Sequence, residues 1–313
     1  MLQLSVDNLL IKKSFEELIA SPVLVDRIVS DFDYTTYHLS TPESKTKLLF
    51  SIQSKAFKDL QKYGAIEKLH SVYGEFETGT TEPGYDYSIY IDLEEIAKLD
   101  TEQQQDFIEK MALLKRNMLA APFEAAFAEY EKLNAQYQQS GVEPDTRSAV
   151  YEINYRDEES IYITPSFDRV TVIFSTIFKD ETDTIFGRVF LQEFVDARRR
   201  AVQNAPQVLY SHKEPPLEIR DLIKYSPNEK KGYITFVLFP RHLVPQKKDN
   251  TISHIQLFRN YFHYHIKCSK AYMHSRMRSR VNQYLKVLNR AKPENEEAAE
   301  RKTATGRRFQ TSH

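Results

Sequence analysis

Arg169 to Phe178 read RVTVIFSTIF, ten residues dominated by β-branched and aromatic side chains. Such a run is a strand, because branched side chains pack well on a pleated surface and lose rotamer freedom in a helix. Upstream, apolar and polar residues largely alternate from Val150 to Arg156 and from Ile161 to Thr164. That is the period-two pattern of strands lining one face of a sheet. Downstream, Ile185, Val189, Phe190 and Phe194 recur at helical spacing on one stripe. Pro206 to Ser211 and Gly232 to Phe239 return to strand character, and Pro240 closes the second. A long helix is predicted from about Thr251 to Arg290.

The first half repeats this order. Val23 to Ser30, Tyr34 to Ser40 and Lys45 to Ile52 read as strands. A helix is predicted over Ser54 to Val72 and a strand over Tyr85 to Leu93. Helical character returns from Thr101 to Gln136, where Pro122 should kink or divide it. Tyr37-His38-Leu39-Ser40 matches Tyr162-Ile163-Thr164 in character, and Leu48-Leu49-Phe50-Ser51 matches Val172-Ile173-Phe174-Ser175. The predicted fold class is therefore α+β: two related sheet-plus-helix domains followed by a long C-terminal helix. The expected boundaries are 1–137 for the first domain, 138–146 for a linker with Gly141 and Pro144, and 147–250 for the second. The basic helix then takes 251–292 and a polar tail 293–313.

Composition narrows the function classes. The 313 residues are 41% hydrophobic and 28% charged, as in folded globular chains, with a net charge of −1. No whole-chain electrostatic attraction to nucleic acid or membrane follows, so any such function must lie in how charge is distributed. The single cysteine, Cys268, rules out an internal disulfide and fits a reducing compartment. The opening residues lack a basic region leading into an apolar stretch, so secretion is not expected. No apolar run is long enough to span a bilayer.

The C-terminal helix carries the most functional information. Its apolar positions from Ile252 are Ile255, Phe258, Phe262, Ile266, Met273, Met277, Val281, Tyr284 and Leu288. These hold one stripe for about 40 residues, or ~60 Å of helix. A domain of about 120 residues has a radius of gyration near ~14 Å. The distal stripe therefore needs cover, either from the other domain or from a partner chain. Between Asn250 and Pro293 there is no Asp or Glu, while Arg259, Lys267, Lys270, Arg276, Arg278, Arg280, Lys286, Arg290 and Lys292 all occur. A solvated face would mix both signs for i,i+4 pairing, so an acidic partner surface is expected. Protein, nucleic acid, anionic lipid or a calmodulin-like target could each supply it.

Signals for chemistry are sparse. Asp31-Phe32-Asp33-Tyr34-Thr35 fits the D-x-D-x-T opening of aspartate-nucleophile phosphatases, where one carboxylate attacks phosphorus and the other handles protons. This is the one enzymatic alternative. No later acidic metal-ligand motif accompanies it, the flanking elements do not alternate strand and helix, and turns favour such residues anyway. His254, His263, His265 and His274 lack the three- or four-residue spacing of helical metal ligands. No nucleotide-binding glycine motif is present. No catalytic residue, metal or cofactor is expected.

Longer blocks resemble a known family. They are Tyr155–Glu159 (YRDEE), Asp168–Thr176 (DRVTVIFST), Ala205–Leu209 (APQVL), His212–Glu218 (HKEPPLE), Gly232–His242 (GYITFVLFPRH), Tyr264–Tyr272 (YHIKCSKAY) and Lys286–Ala291 (KVLNRA). Leu114-Lys115-Arg116-Asn117 and Asp31-Phe32-Asp33 are the clearest points of the first half. Together these are similar to the family of subunit 2 of the actin-related protein 2/3 complex. The resemblance implies a non-catalytic scaffold in a cytoplasmic assembly of the cortical actin cytoskeleton. It implies pairing with subunit 4 through long C-terminal helices, and contact with the side of a mother actin filament during branch nucleation. Nucleic acid and membrane insertion are not implied. Charge and helical position nominate Arg276, Arg280, Lys286 and Arg290 as filament-facing, with Arg198, Arg199 and Arg200 as further candidates. The expected partner-helix interface is Met273, Met277, Val281, Tyr284 and Leu288.

Overall fold

The computed structural model describes residues 4–77, 79–144, 149–223 and 230–291. Positions 145 and 146 of the expected linker, Lys292, and the expected polar tail 293–313 lie outside the described residues. The chain through Ile266 forms one compact unit that contains both sheets, and the chain from Lys267 forms a second.

The first helix, α1 (Leu9–Ala20), has no counterpart in the sequence expectations. Asn8 caps it, its side-chain oxygen accepting from the N–H groups of Leu10 and Ile11. Ile11, Phe15, Leu18 and Ile19 form its buried stripe at helical spacing. Strands β1 (Asp26–Asp31), β2 (Thr35–Ser40) and β3 (Lys47–Ser54) follow as an antiparallel meander. The expected helix over 54–72 is two, α2 (Phe57–Gln61) and α3 (Ala65–Tyr73), parted by Gly64. Gly64 has φ +87°, a left-handed conformation that a side chain would disfavour. Strand β4 (Tyr87–Asp92) pairs with β3, giving the order β1-β2-β3-β4. The edge-to-face stacking of Phe15 on Phe50 (ring centroids 5.3 Å apart) fastens α1 to this sheet, and that of Phe15 on Phe107 (5.8 Å) fastens it to the helical stretch that follows.

After α4 (Leu93–Ala97) come α5 (Thr101–Ala112) and α6 (Leu114–Ser140). The expected division of this helical stretch falls at Leu113 rather than at Pro122. Pro122 is buried inside α6 with Ala120, Ala121, Phe123, Ala126 and Phe127. Burial of that face outweighs the ~3 kcal/mol that an interior proline costs.

The second sheet contains β5 (Tyr151–Ile153), β6 (Ser160–Pro165), β7 (Val170–Ile177), β8 (Gln207–His212) and β9 (Lys231–Leu238), with helix α7 (Glu181–Arg200) between β7 and β8. Its order is β5-β6-β7-β9-β8, antiparallel throughout. Both sheets therefore share a three-strand meander, a helical crossover and a returning strand beside the third, with β8 an added edge. The stretch RVTVIFSTIF contains β7, which is buried on both faces apart from its last residue. On one face Phe174 and Phe236 stack on Phe258 (5.4 and 4.5 Å), while Ile173, Tyr162, Tyr233 and Ile219 cluster on the other.

The stripe read on α7 requires correction. Ile185, Val189 and Phe194 are exposed and Phe190 is only half-buried; the buried residues are Gly187 and Leu191. A Cβ at Gly187 would come within 2.8 Å of Phe178 and 3.2 Å of Phe262, so only glycine admits this approach. Helix α8 (Pro245–Ala291) starts a turn and a half before the expected Thr251, with proline at its first position, where no backbone donor is needed.

Candidate interaction sites

The Asp31–Asp33 motif closes the β1–β2 hairpin. Asp31 ends β1, and Asp33 and Tyr34 take left-handed φ values of 64° and 52° to complete the three-residue turn. Both carboxylates are engaged by cations. The Lys115 amine lies 3.6 Å from Asp31 and 3.5 Å from Asp33, and donates to the Phe32 carbonyl at 2.7 Å. The Arg156 guanidinium pairs with Asp33 at 2.9 Å, and the Asn260 amide donates to the other Asp33 oxygen at 3.1 Å. Among the described residues no group of three or more His, Cys, Asp or Glu side chains is placed to hold a metal. Here the aspartates are joints: they tie the first hairpin to α6, to the β5–β6 connection and to α8.

The β5–β6 connection supplies the other half of that joint. Glu159 is 3% exposed. One of its oxygens accepts from Thr176 Oγ1 at 2.9 Å and from the Ile177 N–H at 3.0 Å. The other faces Arg259 at 2.6 Å and Arg156 at 3.2 Å. Tyr34 donates its hydroxyl to Asp157 at 2.8 Å, and Lys55 pairs with the same carboxylate. Asp157 is held below the ordinary carboxylate range by Lys55 first, then by the Tyr34 hydrogen bond. Behind this cluster Arg116 reaches α8 from α6, donating to Ser253 Oγ at 3.1 Å and to the backbone and side-chain oxygens of Asp249 at 2.9 and 3.0 Å. Asn117 donates to the Tyr73 hydroxyl at 3.0 Å, which in turn donates to the Lys110 carbonyl. Thus the blocks Leu114–Asn117, Tyr155–Glu159 and Asp31–Asp33 all meet at one place.

Helix α8 divides into two stretches of different character. In the first, Ile252, Ile255, Phe262 and Ile266 are buried, each such side chain being worth ~1.5–3 kcal/mol. Phe258 and Phe262 stack on the aromatics of the second sheet and β7's end. Arg259, one of the cations counted toward an acidic partner, is instead committed to Glu159. In the second stretch every residue from Ala271 to Ala291 is exposed. Met273, Met277, Val281, Tyr284 and Leu288 are 41–65% exposed, an apolar stripe open along three turns and more. Leu285, 47% exposed and four residues after Val281, belongs to the same face and was not among the expected interface residues.

The cations nominated for filament contact fall in two places. Arg276, Arg280, Lys286 and Arg290 lie on the exposed stretch of α8. Arg276 donates to the Tyr272 hydroxyl at 2.7 Å and lies over that ring, 5.5 Å from its centroid. Arg198, Arg199 and Arg200 occupy the last turn of α7, where cations complement the helix dipole. Arg198 is half-buried and donates to the Ala205 carbonyl at 3.0 Å. No helix among the described residues is long and apolar enough to cross a membrane.

Comparison with known proteins adds an independent finding. The family model described as Arp2/3 complex, 34 kD subunit p34-Arc matches residues 50–295. The chain is 50% identical over 318 aligned residues, covering 99% of each chain, to a Schizosaccharomyces pombe protein named actin-related protein 2/3 complex subunit 2. A Dictyostelium discoideum protein of the same name is 38% identical over 287 aligned residues, covering 91% of each chain.

Proposed function

The chain belongs to the p34-Arc family, subunit 2 of the Arp2/3 complex, and from that premise we propose that it is a non-catalytic scaffold subunit of that complex. Its exposed distal stripe pairs with a helix of subunit 4, and its basic residues face the mother actin filament during branched nucleation in the cortical, cytoplasmic cytoskeleton. The observation that carries this reading is the uncovered stripe of Met273, Met277, Val281, Tyr284 and Leu288 on a helix whose earlier stripe is buried. Side chains of that size at helical spacing are a seam for another helix. The surrounding cations, with no carboxylate among them, favour an acidic surface beyond that seam. The carboxylate pair that resembles a phosphatase opening is consumed in structural ion pairs, which supports the absence of catalysis. The division into domains 1–137 and 147–250 is the arrangement we propose for presenting these surfaces.

Purification of a tagged full-length chain from its own cells tests the proposal. Stoichiometric recovery of subunit 4 and the two actin-related subunits is expected, together with co-sedimentation of the assembly with actin filaments. A chain recovered alone, or an assembly without subunit 4, refutes it.

A further inference from the structure

Each sheet has two edge strands, and three of the four carry the usual protection against pairing with foreign chains. Strand β1 carries Asp26, Arg27 and Asp31, β4 carries Asp92, and β5 is three residues long with Glu152 among them. Charge and shortness are the devices that blunt an edge. The remaining edge, β8, reads QVLYSH, six residues without Lys, Arg, Asp, Glu or Pro.

The backbone of β8 is open on its outer side. The Lys213 N–H donates to the Lys231 carbonyl at 3.0 Å, and the register continues His212 opposite Gly232 through Gln207 opposite Val237. Antiparallel ladders alternate, so Ser211, Leu209 and Gln207 bond to β9 while Val208 and Tyr210 turn their N–H and C=O groups outward. No described residue bonds to those outward groups. Beside this edge lies a groove of about 360 Å³ between β8 and α7. Leu191 and Val195 of α7 line one side of it, and Val208, Leu209 and Tyr210 the other. Arg188 is the only charged side chain among its lining residues; it is exposed, and its guanidinium hydrogen-bonds the Tyr210 hydroxyl.

We propose that the groove between α7 and the free edge of β8 is a docking site for an extended segment of another protein, which adds to the sheet as a sixth strand. A strand's unpaired amides and carbonyls select an extended backbone, because only that conformation matches their spacing. The groove wall takes every second side chain of the segment, so its apolar residues alternate. Arg188 fixes a carboxylate on it, since a guanidinium oriented by the Tyr210 hydroxyl still has N–H donors to offer a bidentate acid. Six residues of β8 span ~20 Å, which sets the core of the segment at about six residues.

Selection of a random octapeptide library on the full chain, purified with whatever subunits accompany it, tests this proposal. The expected result is a consensus of alternating apolar residues with one acidic position. Binding of the selected peptides should weaken at least tenfold in Arg188→Glu and in Val208→Pro. The proline removes only an outward N–H and leaves the ladder to β9, as edge strands allow. Arg188→Glu is a surface change, so it decides the matter if Val208→Pro fails to fold. No such consensus, or peptides that bind both variants unchanged, overturns the proposal. Self-association of the purified material that Val208→Pro abolishes, without peptide selection, assigns the edge to a second copy and also overturns it.

Discussion

Replacing Glu159 by glutamine removes a charge and almost no volume. The oxygen that accepts from Thr176 and Ile177 at 2.9 and 3.0 Å can remain as the amide carbonyl. What is lost is the carboxylate facing Arg259 at 2.6 Å and Arg156 at 3.2 Å, in surroundings where Glu159 is 3% exposed. Arg156 keeps Asp33 at 2.9 Å, but Arg259 has no other ion-pair partner among the described residues. Breaking a buried pair from one side costs about 3–5 kcal/mol. The retained hydrogen bonds place Glu159→Gln at the lower end, about 3 kcal/mol. At ~1.4 kcal/mol per decade, the opening that frees β7 and the start of α8 becomes roughly a hundredfold more frequent. Hydrogen–deuterium exchange of segments 170–177 and 256–266 in the purified assembly measures it directly. Exchange accelerated less than threefold refutes the view that this cluster fastens the two halves. The double variant Glu159→Gln with Arg259→Met should recover most of the loss, because an apolar stem replaces the orphaned cation.

The remaining predictions concern the helix, the sheet and pH. Val281→Asp should leave the isolated chain's stability within about 0.5 kcal/mol, since Val281 is exposed there, yet expel the partner helix from the assembly because an unpaired carboxylate in a seam costs several kcal/mol; co-purification at the wild-type ratio contradicts this. Arg276→Glu with Lys286→Glu should lower filament affinity of the intact assembly about tenfold or more at low salt, an effect that shrinks as salt screens exposed charge over about 10 Å; equal co-sedimentation of both proteins at low salt rules it out. Gly187→Ala should destabilise the second sheet by about 1–3 kcal/mol through collision with Phe178, read as faster exchange of β7, and unchanged exchange would mean that α7 shifts freely. His38 lies between Asp26 (2.8 Å) and Glu82 (2.7 Å); burial alone draws its pKa down, but hydrogen bonds to the two carboxylates and their charge leave it raised. The stability it contributes is therefore fully present below about pH 6.5 and is lost as pH rises through the higher folded value. Protection of β1 and β2 should fall across that window in the wild type and stay flat in His38→Asn; identical profiles would exclude the histidine as the cause.

Local pattern was enough for the class of fold and for most of the elements, though not for α1 or for the breaks at Gly64 and Leu113. Period-two alternation located the strands because side chains of a strand choose a face residue by residue. The stripe from Ile252 to Leu288 located the long helix, and the absence of acidic residues over that stretch marked its unusual charge. The blocks Leu114–Asn117 and Tyr155–Glu159 stood out as words before their physical role was visible. Tertiary structure decided everything that depends on which neighbour a side chain meets. The same helical spacing occurs at Ile255–Phe262 and at Met277–Tyr284, yet the first is buried under aromatic rings and the second is exposed. On α7 the four apolar residues do not share one face: Phe190 and Phe194, on the side of Gly187 and Leu191, meet His265 and Phe258, whereas Ile185 and Val189 are exposed. Arg259 looks like its cationic neighbours in the sequence, and only the fold brings Glu159, a hundred residues earlier, to its guanidinium. Periodicity is a property of neighbours along the chain, whereas burial and ion pairing belong to neighbours in space.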